Sequence, residues 1–168
     1  MNDPSPHLQD APVGEANAST MELKDIGLEN FAPYLMNRIM GRYNAGLRDE
    51  LASLGLTTPQ MRSLAVLSVF DGILIGELAV YAVVEKSTLS RALDALGRDG
   101  MVRREADAED SRATRIFLTD TGRDAFERMW PHMSAFYDQM FVGISDDDRA
   151  AFVGTLQTML LNIRQHDY

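Results

Sequence analysis

Cysteine is absent from the 168 residues, and with it go disulfides, thiolate nucleophiles, thiol redox sensing and Cys-type zinc sites. Lysine is nearly absent: Lys24 and Lys86 are the two lysines among sixteen basic residues, so arginine carries the positive charge. The histidines, His7, His132 and His166, are too scattered in sequence to suggest a metal site. No hydrophobic run approaches the roughly 20 residues that cross a bilayer. Residues 1–30 lack the basic start and apolar stretch of a secretory signal, so a cytoplasmic location is expected. There is no G-x-S-x-G, no phosphate-cradling glycine loop and no H-E-x-x-H. These absences leave no candidate catalytic residue, metal ligand or cofactor, and an enzyme is not expected.

What is present is an ordinary folded composition, 45% hydrophobic, with a net charge of −9. That acidity runs against nucleic-acid binding, which calls for a basic footprint, but it is unevenly spread. Residues 1–30 hold six acids against Lys24, a balance of −5, whereas residues 85–115 hold seven charges of each sign and balance to zero. Arginine's planar fork suits phosphates and guanine edges, provided that local geometry separates it from the acids.

Along the chain, residues 1–30 hold three of the six prolines and no apolar period, which reads as an arm, flexible or docked on a partner. Phe31, Leu35, Ile39, Tyr43 and Leu47 then recur every four residues, a helix stopped by Gly55. Thr57-Thr58-Pro59-Gln60 is a capping box opening a helix that ends near Asp71-Gly72. Ile73-Leu74-Ile75 suits a short strand, Gly76 to Ala79 the start of a short helix, and Val83-Val84 a tight turn. A helix over 86–99 closes at Gly100, and strands 101–105 and 114–118 make a hairpin with a long polar tip, 106–113. Thr119 caps a long helix that Pro131 should kink or interrupt. Ser145 caps the last helix, with Asp146, Asp147 and Asp148 in its first turn.

Two short helices, a turn and a β-hairpin make the winged helix-turn-helix layout. In the second helix Leu89, Ala92, Leu93 and Leu96 form a core stripe, while Ser87, Thr88, Ser90, Arg91, Asp94 and Arg98 share the opposite face. Small hydroxyl residues with one long arginine let a helix enter the major groove and reach base edges. Arg112, at the hairpin tip, suits the narrow, electronegative minor groove, and Asp110 is positioned to orient its guanidinium.

From Leu56 to Gly122 the chain resembles the MarR family of bacterial regulators. The resemblance rests on Leu56-Thr57-x-x-Gln60, on Glu77-Leu78-Ala79, and on Ser87-Thr88-Leu89-Ser90-Arg91-Ala92-Leu93-Asp94-x-Leu96. It continues through Gly100-Met101-Val102-x-Arg104 and Asp110-x-Arg112 to Leu118-Thr119-x-x-Gly122. With the flanking helices it spans about residues 31–165. It implies a mainly α (α+β) fold: arm 1–30, dimerisation helix 31–56, winged helix-turn-helix 57–118 and C-terminal dimerisation helices 119–168. It implies a homodimer on a pseudo-palindromic double-stranded operator, with Ser87, Thr88, Ser90 and Arg91 in the major groove and Arg112 in the minor groove. It also implies a repressor or activator released by a small, often phenolic, ligand. Two places depart from the pattern: Val83 stands where a glycine is common, and Glu85 where a capping serine is. A β-branched valine resists positive φ, so another turn geometry is expected there.

Phe31, Tyr34, Leu35 and Ile39, with Phe136, Tyr137, Met140, Phe141 and Phe152, exceed what two exposed helices need and suit an interface with a twin. Ten methionines suit either the core or an adaptable ligand crevice. Tyr34, Arg38, Arg42 and Trp130 are the residue types that would meet an anionic aromatic ligand. The alternative is a winged-helix module that pairs with protein and not with DNA, to which the net acidity and Glu85 both point.

Overall fold

The computed structural model describes residues 22–163. The chain divides into two compact units at the step from Arg38 to Ile39. In the first unit a one-turn helix, α1 (Leu23–Ile26), and a 3-10 turn (Leu28–Asn30) precede the start of α2 (Ala32–Ser53). Gly27, at φ 76°, reverses the chain between the two turns, and the Asn30 amide donates to the Ile26 carbonyl at 3.0 Å. The described part of the expected arm is thus locally helical, held by contacts too short in range to leave an apolar period. Residues 1–21 of that arm lie outside the described residues.

The second unit holds the rest of α2, then α3 (Thr58–Leu67), β1 (Ile73–Leu74), α4 (Ile75–Tyr81), α5 (Lys86–Arg98), β2 (Val102–Ala106), β3 (Thr114–Leu118), α6 (Asp120–Met140) and α7 (Asp146–Ile163). The sheet is antiparallel in the order β1-β3-β2, with Ile73 opposite Ile116, and Val102 opposite Leu118. This is a winged helix-turn-helix flanked by long helices, in the element order the sequence predicts. Among the described residues no helix is long and apolar enough to cross a membrane.

The caps follow from their sequences. The Gln60 side-chain oxygen accepts from both the backbone N–H and the hydroxyl of Thr57, each at 2.8 Å. The Ser145 hydroxyl accepts from the Asp148 N–H at 3.1 Å and donates to its carboxylate at 2.6 Å. α3 stops at Leu67, four residues short of Asp71, because the chain unwinds through Val69 and Phe70 before Gly72 (φ 75°) leads it into β1. Pro131 does not interrupt α6, which runs unbroken through it. Both Pro131 and Glu127, whose carbonyl loses its N–H partner, are exposed, so water can satisfy the one missing bond.

The core runs through Leu47 and Leu51 of α2, Met61, Leu64 and Leu67 of α3, Leu78 of α4, Leu89, Leu93 and Leu96 of α5, Ile116 of β3 and Met129 of α6. α5 lies mainly on α3. Its three buried leucines contribute roughly 1.5–3 kcal/mol each and fix which face of the helix remains outward.

Three helices end in the same way. At the end of α2 the Leu56 N–H bonds the Leu51 carbonyl and the Gly55 N–H that of Ala52; at the end of α5 the pairs are Met101 with Leu96 and Gly100 with Gly97. This pattern requires one left-handed residue, supplied by Gly55 (φ 68°) and Gly100 (φ 69°). At the end of α4 the Val84 N–H bonds Ala79 and the Val83 N–H bonds Val80, both at 3.1 Å. Here the left-handed residue is Val83 itself, at φ 52°, the one non-glycine with positive φ among the described residues. The expectation that valine would force another turn geometry is therefore overturned. Ala82 is buried and Val84 packs against the core, so both neighbours are pulled inward and the reversal falls on the single residue between them. Such a conformation costs about 1–3 kcal/mol locally, which the surrounding packing must offset.

Candidate nucleic-acid interface

α5 presents Ser87, Thr88, Ser90, Arg91, Asp94 and Arg98 to solvent, while Leu89, Ala92, Leu93 and Leu96 are buried beneath them. The spacing of Ser87, Arg91, Asp94 and Arg98 puts these four in one stripe along the helix. Its first turn receives no side-chain cap, because Glu85 stands at the N-cap without bonding any N–H. The backbone donors there remain open to an anion, with a carboxylate beside them. A serine at this position should add a cap and remove a charge. Glu85→Ser is expected to raise stability by about 0.5–1 kcal/mol, read by thermal or urea unfolding, and a loss of stability would refute the open-cap geometry.

Three of the seven cations between 85 and 115, all on the hairpin strands, are committed to acids. Arg104 of β2 reaches back to Asp94 of α5 at 2.7 Å and so neutralises the acid in the middle of the outward stripe. Arg103 pairs with Glu105, and its guanidinium lies 4.2 Å from the centre of the Phe117 ring. Arg115 pairs with Asp107 and donates to the Gly72 carbonyl at 2.8 Å. Among the described residues Arg98 makes a long, 3.4 Å contact with the Asp94 carbonyl and enters no ion pair. Lys86, Arg91 and Arg112 enter none of the ion pairs among the described residues. Three of the segment's seven acids are matched by arginines, and the outward stripe of α5 keeps uncommitted cations because its own acid, Asp94, is one of the three. Glu85, Asp99, Glu109 and Asp110 enter no ion pair among the described residues.

The hairpin tip is held by acids, in a way the sequence only half suggests. The Asp107 carboxylate accepts from the backbone N–H groups of Glu109 and Asp110, both at 2.9 Å, as well as from Arg115. Those backbone donors, and then Arg115, hold its carboxyl below the ordinary 3.8, so it stays ionised throughout the neutral range. Asp110 differs from expectation: its carboxylate accepts the Arg112 backbone N–H at 2.9 Å, and no ion pair joins the two side chains among those of the described residues. It shapes the turn carrying Arg112 and leaves the guanidinium unheld. Arg112 borders a shallow depression of about 290 Å³ shared with Ile75 and Glu77 at the start of α4. Asp107, Arg104 and Arg115 were missed as contributors. The Asp-x-x-Asp spacing of an Asx turn could have flagged Asp107, while the two arginine contacts span 10 and 43 residues and leave no local signal.

Within the same unit a crevice of about 450 Å³ opens between α2, α3, the turn after α4, and α6. Met40, Tyr43 and Asn44 line it from α2, Met61, Arg62, Ala65 and Val66 from α3, Tyr81, Ala82 and Val83 from the turn region, and Met133 from α6. Burial raises the Tyr43 phenol, which therefore remains a neutral donor at physiological pH. None of the four ligand candidates chosen by residue type lines it. In the first unit Arg38 donates to the Tyr34 hydroxyl at 3.3 Å and lies over its ring. In the second, Trp130 stacks beside Phe126 with ring centres 6.0 Å apart, and Arg42 is exposed on α2. The methionines divide between roles: Met129 is core, Met61 is core and also floors the crevice, and Met40 and Met133 border it.

Comparison with known proteins agrees with this architecture. Residues 54–113, from the end of α2 to the hairpin tip, match the family model described as MarR family. A crystal structure of a MarR-family transcriptional regulator from Silicibacter pomeroyi is 58% identical, superposes with a TM-score of 0.84, and covers 88% of this chain and 100% of its own. The transcriptional repressor YetL of Bacillus subtilis is 32% identical over 125 residues, covering 72% of this chain and 70% of YetL. The transcriptional activatory protein BadR of Rhodopseudomonas palustris is 31% identical over 117 residues, 67% of each protein. Fold, motif order and these relatives agree, and the chain belongs to the MarR family of transcriptional regulators.

Proposed function

We propose that the protein is a homodimer that reads a pseudo-palindromic double-stranded DNA operator and is released from it by a small ligand. α5 enters the major groove, with Ser87 and Thr88 at the phosphates and Ser90 and Arg91 at base edges. Arg98 meets the backbone further along the helix, and Arg112 enters the flanking minor groove. The observation that carries this reading is the electrostatic sorting of the reading head. The outward stripe of α5 and the hairpin tip hold the uncommitted cations Arg91 and Arg112, with Lys86 in the first turn of α5, while Asp94, the acid within that stripe, and Glu105 and Asp107 of the hairpin are matched by arginines. The uncommitted acids, Glu85, Asp99, Glu109 and Asp110, lie at the ends of α5 and in the tip.

Dimerisation is supported by α7, which has no buried residue in the single chain and leaves Leu160, Leu161 and Ile163 at 65%, 58% and 74% exposure. A helix this apolar and this uncovered suits an interface with a second copy. The segments 31–56 and 119–168, through α2, α6 and α7, form that interface in this reading, and the head over 57–118 stays free for DNA. The crevice supports the ligand part. It is mostly apolar with a few polar groups, Tyr43, Asn44 and Arg62, and it reaches the turn that launches α5.

The test is a salt-titrated binding assay on the DNA upstream of the protein's own gene, with a scrambled duplex as control. Specific retention with log K falling linearly in log salt is expected, each phosphate contact adding about 0.9 to the slope. Absence of retention even at low salt would refute DNA reading and favour a protein-pairing winged helix, for which Glu85 and the net charge of −9 would be the explanation.

A further inference from the structure

Val83 sits at the hinge of the reading head, two residues before Glu85 and the start of α5. The same turn in this chain uses glycine twice, at Gly55 and Gly100, and only here imposes the left-handed conformation on a β-branched residue. The Val83 side chain is 76% exposed and does not anchor the turn. Arg62 of α3 grips the turn from outside, its guanidinium donating to the Val83 carbonyl at 3.2 Å. Among the described residues that carbonyl accepts no other hydrogen bond. Arg62 is half-buried, in no ion pair among the described residues, and 21 residues away in sequence. It therefore spends its charge on a neutral backbone oxygen at the strained residue. Clasp and turn both lie on the rim of the crevice.

We propose that Arg62 is a positioning residue for DNA reading: it clasps the Val83 carbonyl and holds the strained turn in the conformation that sets the pose of α5. The proposal rests on the reading of α5 as the DNA-contacting helix. A left-handed valine relaxes toward extended or right-handed backbone when its restraint is removed, and a change at residue 83 re-aims everything from Lys86 onward. Strain and clasp oppose each other, so removing the strain should make the clasp dispensable. Glycine at position 83 does so, since it adopts positive φ without steric penalty.

The experiment is a double-mutant cycle of Arg62→Gln and Val83→Gly in the full-length protein, read in two ways. The first is operator affinity at fixed salt. The second, without DNA, is hydrogen exchange of the Val84 amide, which bonds across the turn to Ala79. Arg62→Gln alone is expected to weaken operator binding about three- to tenfold, the range of one ordinary net hydrogen bond, as befits a 3.2 Å contact open to solvent, and to speed Val84 exchange. In the Val83→Gly background the same substitution should change affinity less than about twofold and leave exchange slow, since the turn then holds without the clasp. Equal effects of Arg62→Gln in both backgrounds, or none in either, would overturn the proposal. So would coupled exchange without coupled affinity. Unfolding midpoints of all four proteins identify loss of fold, in which case Arg62→Lys replaces the glutamine variant. A wild-type protein that retains no DNA refutes the reading of α5 instead, while exchange still reports whether the clasp exists.

Discussion

Replacing Gly122 by alanine is expected to destabilise the protein by about 1–3 kcal/mol or more, among the larger effects available to one methyl group. Gly122 is buried in the first turn of α6, and a Cβ built there would lie 2.1 Å from the Met101 carbonyl oxygen and 2.8 Å from a Leu118 methyl. The oxygen is backbone and cannot swing aside alone. It accepts the Thr119 N–H at 3.1 Å, the Thr119 hydroxyl donates to the Gly100 carbonyl at 2.6 Å, and that same hydroxyl caps the Gly122 N–H at 3.1 Å. Making room for a methyl group would prise the end of β3 and the start of α6 away from the start of β2. The Leu118-Thr119-x-x-Gly122 run is therefore a lock that seats the wing on the long helix. Urea unfolding measures the effect, with Gly97→Ala as the matched control. Gly97 is helical and exposed and has nothing within 4 Å of its would-be Cβ, so alanine there should gain about 0.5–1 kcal/mol. If Gly122→Ala unfolds within 0.5 kcal/mol of the wild type, the lock is wrong.

Arg91→Ala is expected to weaken operator binding by about 2–6 kcal/mol per dimer, because a contact worth about 1–3 kcal/mol is lost from each half-site. The loss should fall on specific DNA far more than on scrambled DNA, since a base-edge contact carries sequence information and a phosphate contact does not. Arg112→Ala should give a smaller loss concentrated on operators with narrow A·T-rich flanks, where the minor groove is most electronegative. Arg103→Ala is the contrast: its guanidinium is already taken by Glu105 and the Phe117 ring, so its removal should change specific affinity less than Arg91→Ala does. Titrations at matched salt decide the matter, and unchanged affinity in both the Arg91 and Arg112 variants would dismiss the assigned roles.

The parts of this design legible in the sequence are those whose physics is local. The four-residue apolar period that becomes α2, the Thr57-Gln60 capping box and the Ser145 cap depend on neighbours within one or two turns, and all three are where the pattern puts them. The division of α5 into a leucine face and a Ser–Thr–Arg face is likewise a matter of helical period. Local reasoning failed at Val83, and at Pro131 the interruption it allowed for does not occur. In each it weighed one residue's own preference, while packing of Ala82 and Val84, or a solvent-exposed missing bond, decided the outcome. The ligand candidates lie outside the crevice for a related reason: residue type says nothing about which side chains share a cavity, and the crevice draws on four separated elements.

What the sequence by itself determined was the element order, the caps, the outward face of α5 and the family, because hydrophobic period, capping chemistry and motif spacing act over a few residues. What only the tertiary structure decided was which charges remain available. Arg104 crossing to Asp94, Arg115 bridging Asp107 to Gly72, and Arg62 reaching Val83 join residues 8 to 43 positions apart. A net charge counts these arginines and acids equally. Charge pairing acts through distance in space, which the folded chain sets, and it leaves Arg91 and Arg112 uncommitted in a protein of net charge −9.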